Sequence, residues 1–543
     1  MNEIPSLRPL AAVLAPAVAV APILASGARP NLREAWTVLA SVLTLGLVAS
    51  MVPGVLAGDV YVTELGSLVP YVDLALHADA LGILFGLLAS TLWLATSFYS
   101  VGYMRGLGEH SQTRYFAAFA GSVASAVGVA FAANLVVLYL FYELLTVATY
   151  PLVAHDETDE ARAAGRKYLA YTFGGGVAAL AGILLVVHLA GTTTFVAGGM
   201  SGLAGADPTL ARAAFALLIT GFGVKAALMP LHSWLPDAMV APTPVSGLLH
   251  AVAVVKSGVF GIARVLLDVF GVDLVAALGV GTVLAAVAAF TLVVASVIAL
   301  RQDNLKRRLA FSTVSQLSYI VLGLSVGAAA APGEATKWAL VGGLLHIPAH
   351  AFMKLTLFFC AGALHVETHT DDISNMAGIG KRMPLTMGAF AVAAAGMAGI
   401  PIVAGFVSKY FLLLGTVTAG DLVFTAALLV SGVLNIAYFW PVVYTAFFES
   451  QGDSDEKPLL SGVLGGRFGR AARADGGHHG ESDDHGPFER RAPNGAEGSW
   501  FVVAPILFAA AGSVVLGVVP DAAVFLQVVR EIVAGATAMG VVV

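Results

Sequence analysis

Apolar runs of about 20 residues recur along almost the whole chain, and this repetition constrains the fold more than any other feature. A helix needs about 20 mostly apolar residues to cross the hydrocarbon core of a bilayer. Hydrophobic residues make up 58% of the 543-residue sequence and charged residues only 11%, which excludes a soluble globular protein of this length. The sequence therefore predicts an all-α, polytopic membrane protein.

The apolar runs predict fourteen transmembrane spans. The spans lie at residues 9–26, 36–57, 78–101, 113–131, 134–153, 168–190, 209–229, 242–268, 274–299, 309–330, 338–364, 385–415, 422–448 and 500–526. The first run lacks the cleavage site of a signal peptide, so we interpret it as a span. Most of the Lys and Arg residues outside the spans fall in alternate loops. The positive-inside rule then predicts that both termini lie outside.

Several classes of function are excluded by missing motifs. The single cysteine, Cys360, cannot hold an iron–sulfur cluster, and no GxxxxGK[ST] or GxGxxG phosphate loop occurs. A nucleotide-powered pump and redox chemistry within this chain are therefore not expected. The sequence predicts no cofactor, no metal site and no nucleic-acid partner, so the driving force must come from an ion gradient or a neighbouring subunit.

One long segment, residues 449–499, is not apolar. It is rich in Gly, Asp, Glu and Arg and contains His478, His479 and His485. Three histidines among carboxylates can chelate a metal, but their spacing matches no defined site. We interpret the segment as a solvated, disordered cytoplasmic linker.

Ionisable side chains inside the spans are the candidate functional residues. Four of the nine lysines lie there, namely Lys225, Lys256, Lys354 and Lys409. An ammonium group at bilayer depth costs about 3 kcal/mol on insertion scales, so such residues are rare unless a pathway or a partner requires them. Glu143 lies near the middle of the fifth span, and its side chain is too short to reach the membrane surface.

Two spans carry both a lysine and a helix-breaking proline. Lys225 precedes Pro230 in the seventh span, and Lys409 follows Gly399 and Pro401 in the twelfth. Proline removes a helix hydrogen bond, and irregular backbone at membrane depth is tolerated where it is packed or lines a cavity. Paired interrupted spans of this kind indicate a transport site.

The eighth and eleventh spans carry further ionisable residues, which are His250, Lys256, His346, His350 and Lys354. The last three follow at i, i+4 and i+8, so they project from one side of a helix, and Pro348 between the histidines is expected to kink it. A lone histidine in a span commonly bonds a neighbouring helix, and a lone lysine near a span end snorkels. The whole set instead favours a proton relay, because burial disfavours a charged group and a nearby carboxylate stabilises an ammonium.

Three runs of sequence carry a family resemblance. GVKAALMPLHSWLPDAMVAPTPVSGLLHAVAVVKSGVFGIARV, HIPAHAFMKLTLFFCAGAL and GIPIVAGFVSKYFLL resemble the antiporter-like membrane subunits shared by Mrp-type multisubunit Na+/H+ antiporters, respiratory complex I and membrane-bound hydrogenases. The likeness extends over residues 75–450. It implies fourteen helices and two inverted five-helix repeats, each with one broken helix. The implied domains are 1–112 for spans one to three, 113–268 and 269–448 for the two repeats, 449–499 for the linker and 500–543 for the last span.

The resemblance also implies a role for each ionisable residue. Glu143 and Lys225 would be a coupled ion pair, and Lys256 the central relay lysine. Lys409 would be the terminal exchanging residue of the second half-channel. The connecting polar groups would be His250, His346, His350 and Lys354.

The resemblance points to the D-type subunit of an Mrp antiporter, since few residues follow the predicted fourteenth span, whereas the largest subunits of the family continue into further helices. The 449–499 insertion departs from the family pattern. The implied partners are H+, other membrane subunits and the lipid bilayer, in the plasma membrane of a prokaryote. Na+ prefers oxygen ligands, so it need not pass through this chain.

Three functions stay open at this point. The first is a secondary cation/proton antiporter subunit, which is not itself an enzyme. The second is a proton-pumping subunit of a complex I-like quinone oxidoreductase or membrane-bound hydrogenase, in which case it would belong to a redox-driven translocase. The third is an energy-coupling subunit for inorganic-carbon uptake. The same lysines and histidines would serve all three, and the neighbouring genes would discriminate among them.

Overall fold

Long helices form almost all of the molecule. The computed structural model describes residues 2–69, 72–330, 332–450, 497–521 and 524–537, and residues 451–496, which hold most of the predicted linker, lie outside them. The first half of the described chain contains α1 Arg8–Ala25, α2 Pro30–Ala49, α3 Val52–Leu56, α4 Ala80–Gly106, α5 Gln112–Phe131, α6 Leu135–Val153, α7 Asp159–Ala190, α8 Ser201–Ala204, α9 Pro208–Lys225, α10 Trp234–Asp237, α11 Thr243–Gly247 and α12 Val254–Arg264.

The second half contains α13 Gly271–Leu278, α14 Val280–Ala299, α15 Leu305–Ala329, α16 Glu334–Thr368, α17 Ile379–Arg382, α18 Pro384–Ala398, α19 Ala404–Thr418, α20 Leu422–Phe448, α21 Trp500–Val518 and α22 Val524–Thr537. Two 3-10 segments, Ala238–Val240 and Ile373–Asn375, and two π-helical segments, Leu248–Val252 and Val265–Val269, complete the helical elements. The all-α class predicted from the sequence is confirmed.

The helices agree closely with the predicted spans. Among the described residues, eleven helices are long and apolar enough to cross a membrane. They correspond to the predicted spans one to six, nine to eleven, thirteen and fourteen. The other three predicted spans, at 209–229, 242–268 and 385–415, are interrupted: α9 stops at Lys225, the eighth span is divided by π-helical segments, and the twelfth is divided into α18 and α19.

Short polar side chains determine where many of these helices begin. The side chains of Asp79, Asn134, Thr158, Asp207 and Asn304 each accept a hydrogen bond from a backbone N–H in the first turn of α4, α6, α7, α9 and α15. Such N-caps satisfy backbone donors that have no partner inside the helix, which contributes about 1 kcal/mol each. Two of these capped helices, α6 and α9, carry the candidate residues Glu143 and Lys225.

A small sheet lies beside the first helices, and the sequence pattern of spans did not predict it. β1 Asn2–Pro5 pairs in parallel with β2 Asp59–Val69, which pairs antiparallel with β3 Val72–Ala78. The loop between the second and third spans is long enough to form a hairpin, and its run Val60 to Thr63 is β-branched and aromatic. The strands therefore pair where no membrane helix competes for them.

The central helices are α15 and α16, whose most apolar windows are completely buried. α16 packs against α15, α18, α19 and α21. Helix pairs that are equivalent in the two predicted repeats also pack alike: α5 against α6 and α7 against α9 in the first, α14 against α15 and α16 against α19 in the second. The repeat boundaries themselves stay a prediction, as does the orientation of the termini.

Candidate functional site

The eight predicted ionisable residues lie within the helical body. Six are fully buried, with 0% exposure, namely Lys225, His250, Lys256, His346, His350 and Lys354. Glu143 and Lys409 are half-buried. The six buried side chains face other helices and do not snorkel to the membrane surface. We refer to these eight residues as the buried axis.

Glu143 lies at one end of the buried axis, on α6. Its Oε1 atom is buried and has no hydrogen-bond partner among the described residues. The carboxyl group packs against Gly176 of α7, where a Cβ atom would lie only 2.3 Å from Oε1. The neighbouring side chains of Leu140 and Leu144 are exposed, so this face of α6 is at the surface of the chain.

Lys225 is the last residue of α9 and points back towards α6. Its Nζ donates a hydrogen bond to the carbonyl oxygen of Tyr142 and lies 3.5 Å from the centre of the Tyr142 ring. The Tyr142 hydroxyl donates in turn to the carbonyl oxygen of Gly221, at 2.9 Å. In the described part of the chain no ion pair within 4.0 Å joins Lys225 to Glu143, although the two charges interact electrostatically. The predicted pair is adjacent but not in contact.

The backbone after Lys225 leaves the helix. Residues 226–233 form turns that include Pro230, and Ala227 has a left-handed φ of 54°. α12 approaches this break closely, since a Cβ atom at Gly258 would lie 2.3 Å from the backbone nitrogen of Ala226. A glycine is therefore required there, and it brings the helix of Lys256 against the end of the helix of Lys225.

His250 occupies the π-helical segment Leu248–Val252. Both of its ring nitrogens lack a hydrogen-bond partner among the residues that the structure describes, and its ring lies 4.7 Å from that of Phe358. Short π-helical turns inside α-helices occur frequently at functional sites. The sequence placed the irregular backbone of this region at prolines and did not predict the π-helical turn.

A direct contact joins the eighth and eleventh spans. Nζ of Lys256 lies 2.7 Å from Nδ1 of His350. An ammonium has only donors, so it donates to the unprotonated Nδ1 atom. α16 continues without interruption through Pro348, and the kink expected at this proline stays a prediction.

His346, one turn before His350, connects to the other half of the site. The two imidazole rings are stacked with centroids 6.2 Å apart. Nδ1 of His346 lies 2.8 Å from the hydroxyl of Ser408, and Nε2 lies 2.8 Å from the side-chain oxygen of Gln316. Ser408 precedes Lys409 in the chain, so the contacts lead from α16 to the twelfth span.

Lys409 follows the break in the twelfth span. α18 ends at Ala398 and is capped by Gly399, which has a left-handed φ of 87°, and the chain passes through Pro401 before α19 begins. The Nζ atom of Lys409 donates to the carbonyl oxygen of Met397 and lies 4.8 Å from the centre of the Tyr319 ring. A backbone carbonyl group beside the break thus binds the lysine.

Lys354 forms a branch. Its Nζ donates to the hydroxyl of Ser312 and, at 3.0 Å, to the carbonyl oxygen of Leu309. Both acceptors lie in the first turns of α15, near the end that the charge distribution predicts to be inward. Lys354 therefore extends the buried axis towards that face.

The structure adds polar residues that the sequence interpretation missed. They are Tyr142, Ser312, Gln316, Tyr319 and Ser408, each in contact with a lysine or histidine of the buried axis. A signal was available, because the run STVSQLSY at residues 312–319 is unusually polar for a buried span. Groups that can donate and accept hydrogen bonds are the ones that connect a relay.

Some residues of the buried axis are joined by direct contacts, and others are separated from their neighbours. Hydrogen bonds and ring contacts connect Lys256, His350 and His346 to the segment of Lys409. Within the described residues, no direct polar contact links Lys225 to Glu143 or to Lys256, or links His250 to another member. Water or a small motion would be needed at these gaps to complete a path.

Fold and site together define a class: a polytopic membrane protein with ionisable side chains along its interior. Residues 132–435 match the family described as NADH:quinone oxidoreductase/Mrp antiporter, transmembrane. This match covers more than half of the chain, which therefore belongs to that family. The resemblance predicted from the three sequence runs is confirmed.

Known proteins support the same family. NADH-quinone oxidoreductase subunit N of Desulforudis audaxviator is 37% identical over 382 residues, which are 68% of this chain and 72% of that protein. The A-type subunit of a Na(+)/H(+) antiporter from Alkalihalophilus pseudofirmus is 34% identical over 351 residues, which are 62% of this chain and 42% of that protein. The aligned part of the chain thus spans less than half of that antiporter protein.

A solved structure shares the fold. One chain of the Mrp complex from Dietzia sp. DQ12-45-1b superposes with a TM-score of 0.78 and 23% identity, over 97% of this chain and 96% of that chain. The arrangement of helices expected from the resemblance is consistent with this likeness. The assignment to the D-type Mrp subunit stays a prediction.

Proposed function

We propose that the chain is the proton-translocating subunit of a multisubunit cation/proton (Na+/H+) antiporter, and that protons move along the buried axis. In this proposal the chain is part of a secondary transporter and not an enzyme. The observation that carries it is the 2.7 Å contact between Nζ of Lys256 and Nδ1 of His350, because it joins the two predicted repeats through groups that bind protons.

Amines and imidazoles suit proton transfer. A lysine and a histidine in contact share one proton, and moving it requires only a small displacement. Because both side chains are fully buried, water does not stabilise either charged form, and neighbouring charges determine which group is protonated. A change at Glu143 or Lys225 can therefore be transmitted along the axis as a change in proton occupancy.

The ligand chemistry favours H+ over Na+ on this path. Na+ is a hard cation that prefers several oxygen ligands. The buried axis offers mainly nitrogen atoms, and its lysines would repel a metal cation when charged. Na+ would therefore cross the assembled complex elsewhere.

Both ends of the axis suggest contacts with partner subunits. Glu143 is half-buried on a face of α6 that exposes Leu140 and Leu144, and Lys409 is half-buried beside the exposed Tyr410. A half-buried charged group within a membrane span requires a polar partner or water. Other membrane subunits of the complex would supply both.

The experiment compares His350→Ala with His350→Gln in everted membrane vesicles that hold the assembled complex. Glutamine keeps a hydrogen bond to Lys256 but cannot bind and release a proton at accessible pH. A relay predicts that both variants slow ΔpH-driven exchange, while His188→Ala, outside the buried axis, does not. Full activity of His350→Gln would assign the residue a packing role and contradict the proposal.

A second function is favoured by one observation, the 37% identity to subunit N of an NADH-quinone oxidoreductase. In that case the chain would pump protons within a redox complex. Exchange driven by an imposed Na+ or pH gradient without any reductant supports the antiporter. Proton movement that requires a quinone or its reductant supports the redox complex.

A further inference from the structure

Three side chains that bind metals in proteins converge outside the buried axis. Glu109 and His110 lie in the loop between α4 and α5, and His155 lies in the loop between α6 and α7. One ligand atom from each lies within 4.8 Å of the other two. His110 and His155 are 45 residues apart in the chain, so no local spacing motif could reveal the cluster.

His155 is the unusual member, because it is fully buried and unpartnered. Its exposure is 0%, and neither ring nitrogen has a hydrogen-bond partner among the described residues. The ring lies 4.8 Å from that of His110 and 5.8 Å from that of Tyr115. A buried polar group without a partner is costly, so such a group indicates a missing ligand or water.

His110 is oriented by a backbone group, as metal-binding histidines commonly are. Its Nε2 lies 3.0 Å from the carbonyl oxygen of His155, which makes Nε2 the donor. The lone pair is then on Nδ1, which lies 3.8 Å from Oε2 of Glu109. One hydrogen bond thus selects the tautomer and turns the free nitrogen towards the carboxylate.

The surrounding charges permit a cation. Arg114 is engaged elsewhere, since it pairs with Glu157 and donates to the carbonyl oxygen of His155 at 2.8 Å. The negative charge of Asp156 and the positive charge of Lys306 both act on the Glu109 carboxylate, and their effects oppose each other.

We propose that Glu109, His110 and His155 bind a divalent transition metal ion of the borderline class, with Zn2+ as the expected occupant. Two imidazole nitrogens and one carboxylate oxygen, with water in the fourth position, are a donor set that zinc accepts. Zinc requires ligands at about 2.0–2.2 Å, so the three atoms must move closer together. Glu109 and His110 are partly exposed and can make that adjustment around the buried His155.

The bound ion would fasten the α4–α5 loop to the α6–α7 loop, at the end of the helix that carries Glu143. The proposal does not depend on the direction or identity of the transported ions. It also differs from the metal chemistry considered for His478, His479 and His485, which belong to another part of the sequence.

The test uses the full-length protein, purified in detergent and freed of metal by a chelator. His478, His479 and His485 are replaced by alanine in this background, so that zinc on those residues cannot mask the site. Zn2+ affinity and stoichiometry are measured by competition with a chromophoric chelator. We expect one zinc ion per chain, and at least tenfold weaker binding in His155→Ala and in Glu109→Gln. His188→Ala, in which a histidine of α7 outside the cluster is lost, is the matched control and should bind like the background.

Thermal unfolding provides a second readout. A ligand that binds only the folded state raises the midpoint of unfolding. Zinc should raise the midpoint in the background protein and in His188→Ala, but not in Glu109→Gln. Because Glu109 is partly exposed, its replacement by glutamine should not itself disturb folding. Absence of zinc binding in the background protein would overturn the proposal. Unchanged zinc affinity in Glu109→Gln would do so as well, even if His155→Ala did not fold.

Discussion

Substitution of Gly176 by alanine displaces the carboxyl group of Glu143 although no ionisable residue is replaced. A Cβ atom at position 176 would lie 2.3 Å from Oε1 and 2.8 Å from Cδ of Glu143. Ordinary van der Waals contact begins near 3.4 Å, so the carboxyl group must retreat by about 1 Å. Gly176 lies inside α7, where its backbone accepts alanine and the helix gains up to about 1 kcal/mol.

The size of the effect follows from this crowding. Inserting a methyl group into a packed interior costs about 1–3 kcal/mol. If that cost falls on the position of the carboxyl group during proton transfer, the exchange rate decreases by roughly 5- to 150-fold. Expression should change little, because the gain in helix propensity offsets part of the crowding.

Gly174→Ala is the matched control. It makes the same chemical change two residues earlier in α7, and a Cβ atom there meets nothing within 4 Å. ΔpH-driven exchange is measured in everted vesicles, with the amount of protein determined by immunoblot. Equal exchange in the Gly176→Ala and Gly174→Ala variants would show that the position of the Glu143 carboxyl group does not matter, and would refute the reasoning.

Three further changes have expected outcomes in the same assay. Glu143→Ala should abolish exchange while the protein still inserts, because Lys225 loses its nearest carboxylate; near-normal exchange would contradict the relay. His346→Ala should slow exchange without eliminating it, since water can replace one link between Ser408 and Gln316. Loss of assembly instead would indicate a structural role. Deletion of residues 455–495, predicted to be a linker, should leave exchange intact, and a large loss would assign the segment a regulatory or docking role.

The sequence predicted the spans well because the bilayer imposes their length and composition. Among the described residues, the eleven helices that are long and apolar enough to cross a membrane correspond to predicted spans, and the interruptions near Pro230 and Pro401 were expected from proline chemistry. Pro348, by contrast, lies inside a helix that is not interrupted. α16 continues through it, because a proline inside a long buried helix can be accommodated by its neighbours.

Features that depend on contacts between distant segments could not be predicted. The β1–β2–β3 sheet requires pairing of the N-terminus with residues far along the chain. The contact of Lys256 with His350 joins residues 94 positions apart, and periodicity within one span gives no information about it. Sequence spacing identified the ionisable residues of the axis but not the hydroxyl and amide groups, such as those of Ser408 and Gln316, that connect them.

Lys409→Arg tests the central claim most directly. Arginine keeps the positive charge and can still donate to the carbonyl oxygen of Met397, but it does not release its proton at any accessible pH. Lys409 is half-buried, which leaves more room for the larger side chain than at the fully buried lysines. Steady-state exchange is measured across a pH series with the membrane content of the complex held equal. Proton movement along the buried axis predicts an assembled variant without exchange at any pH, whereas substantial exchange in Lys409→Arg would remove this lysine from the path and contradict the account.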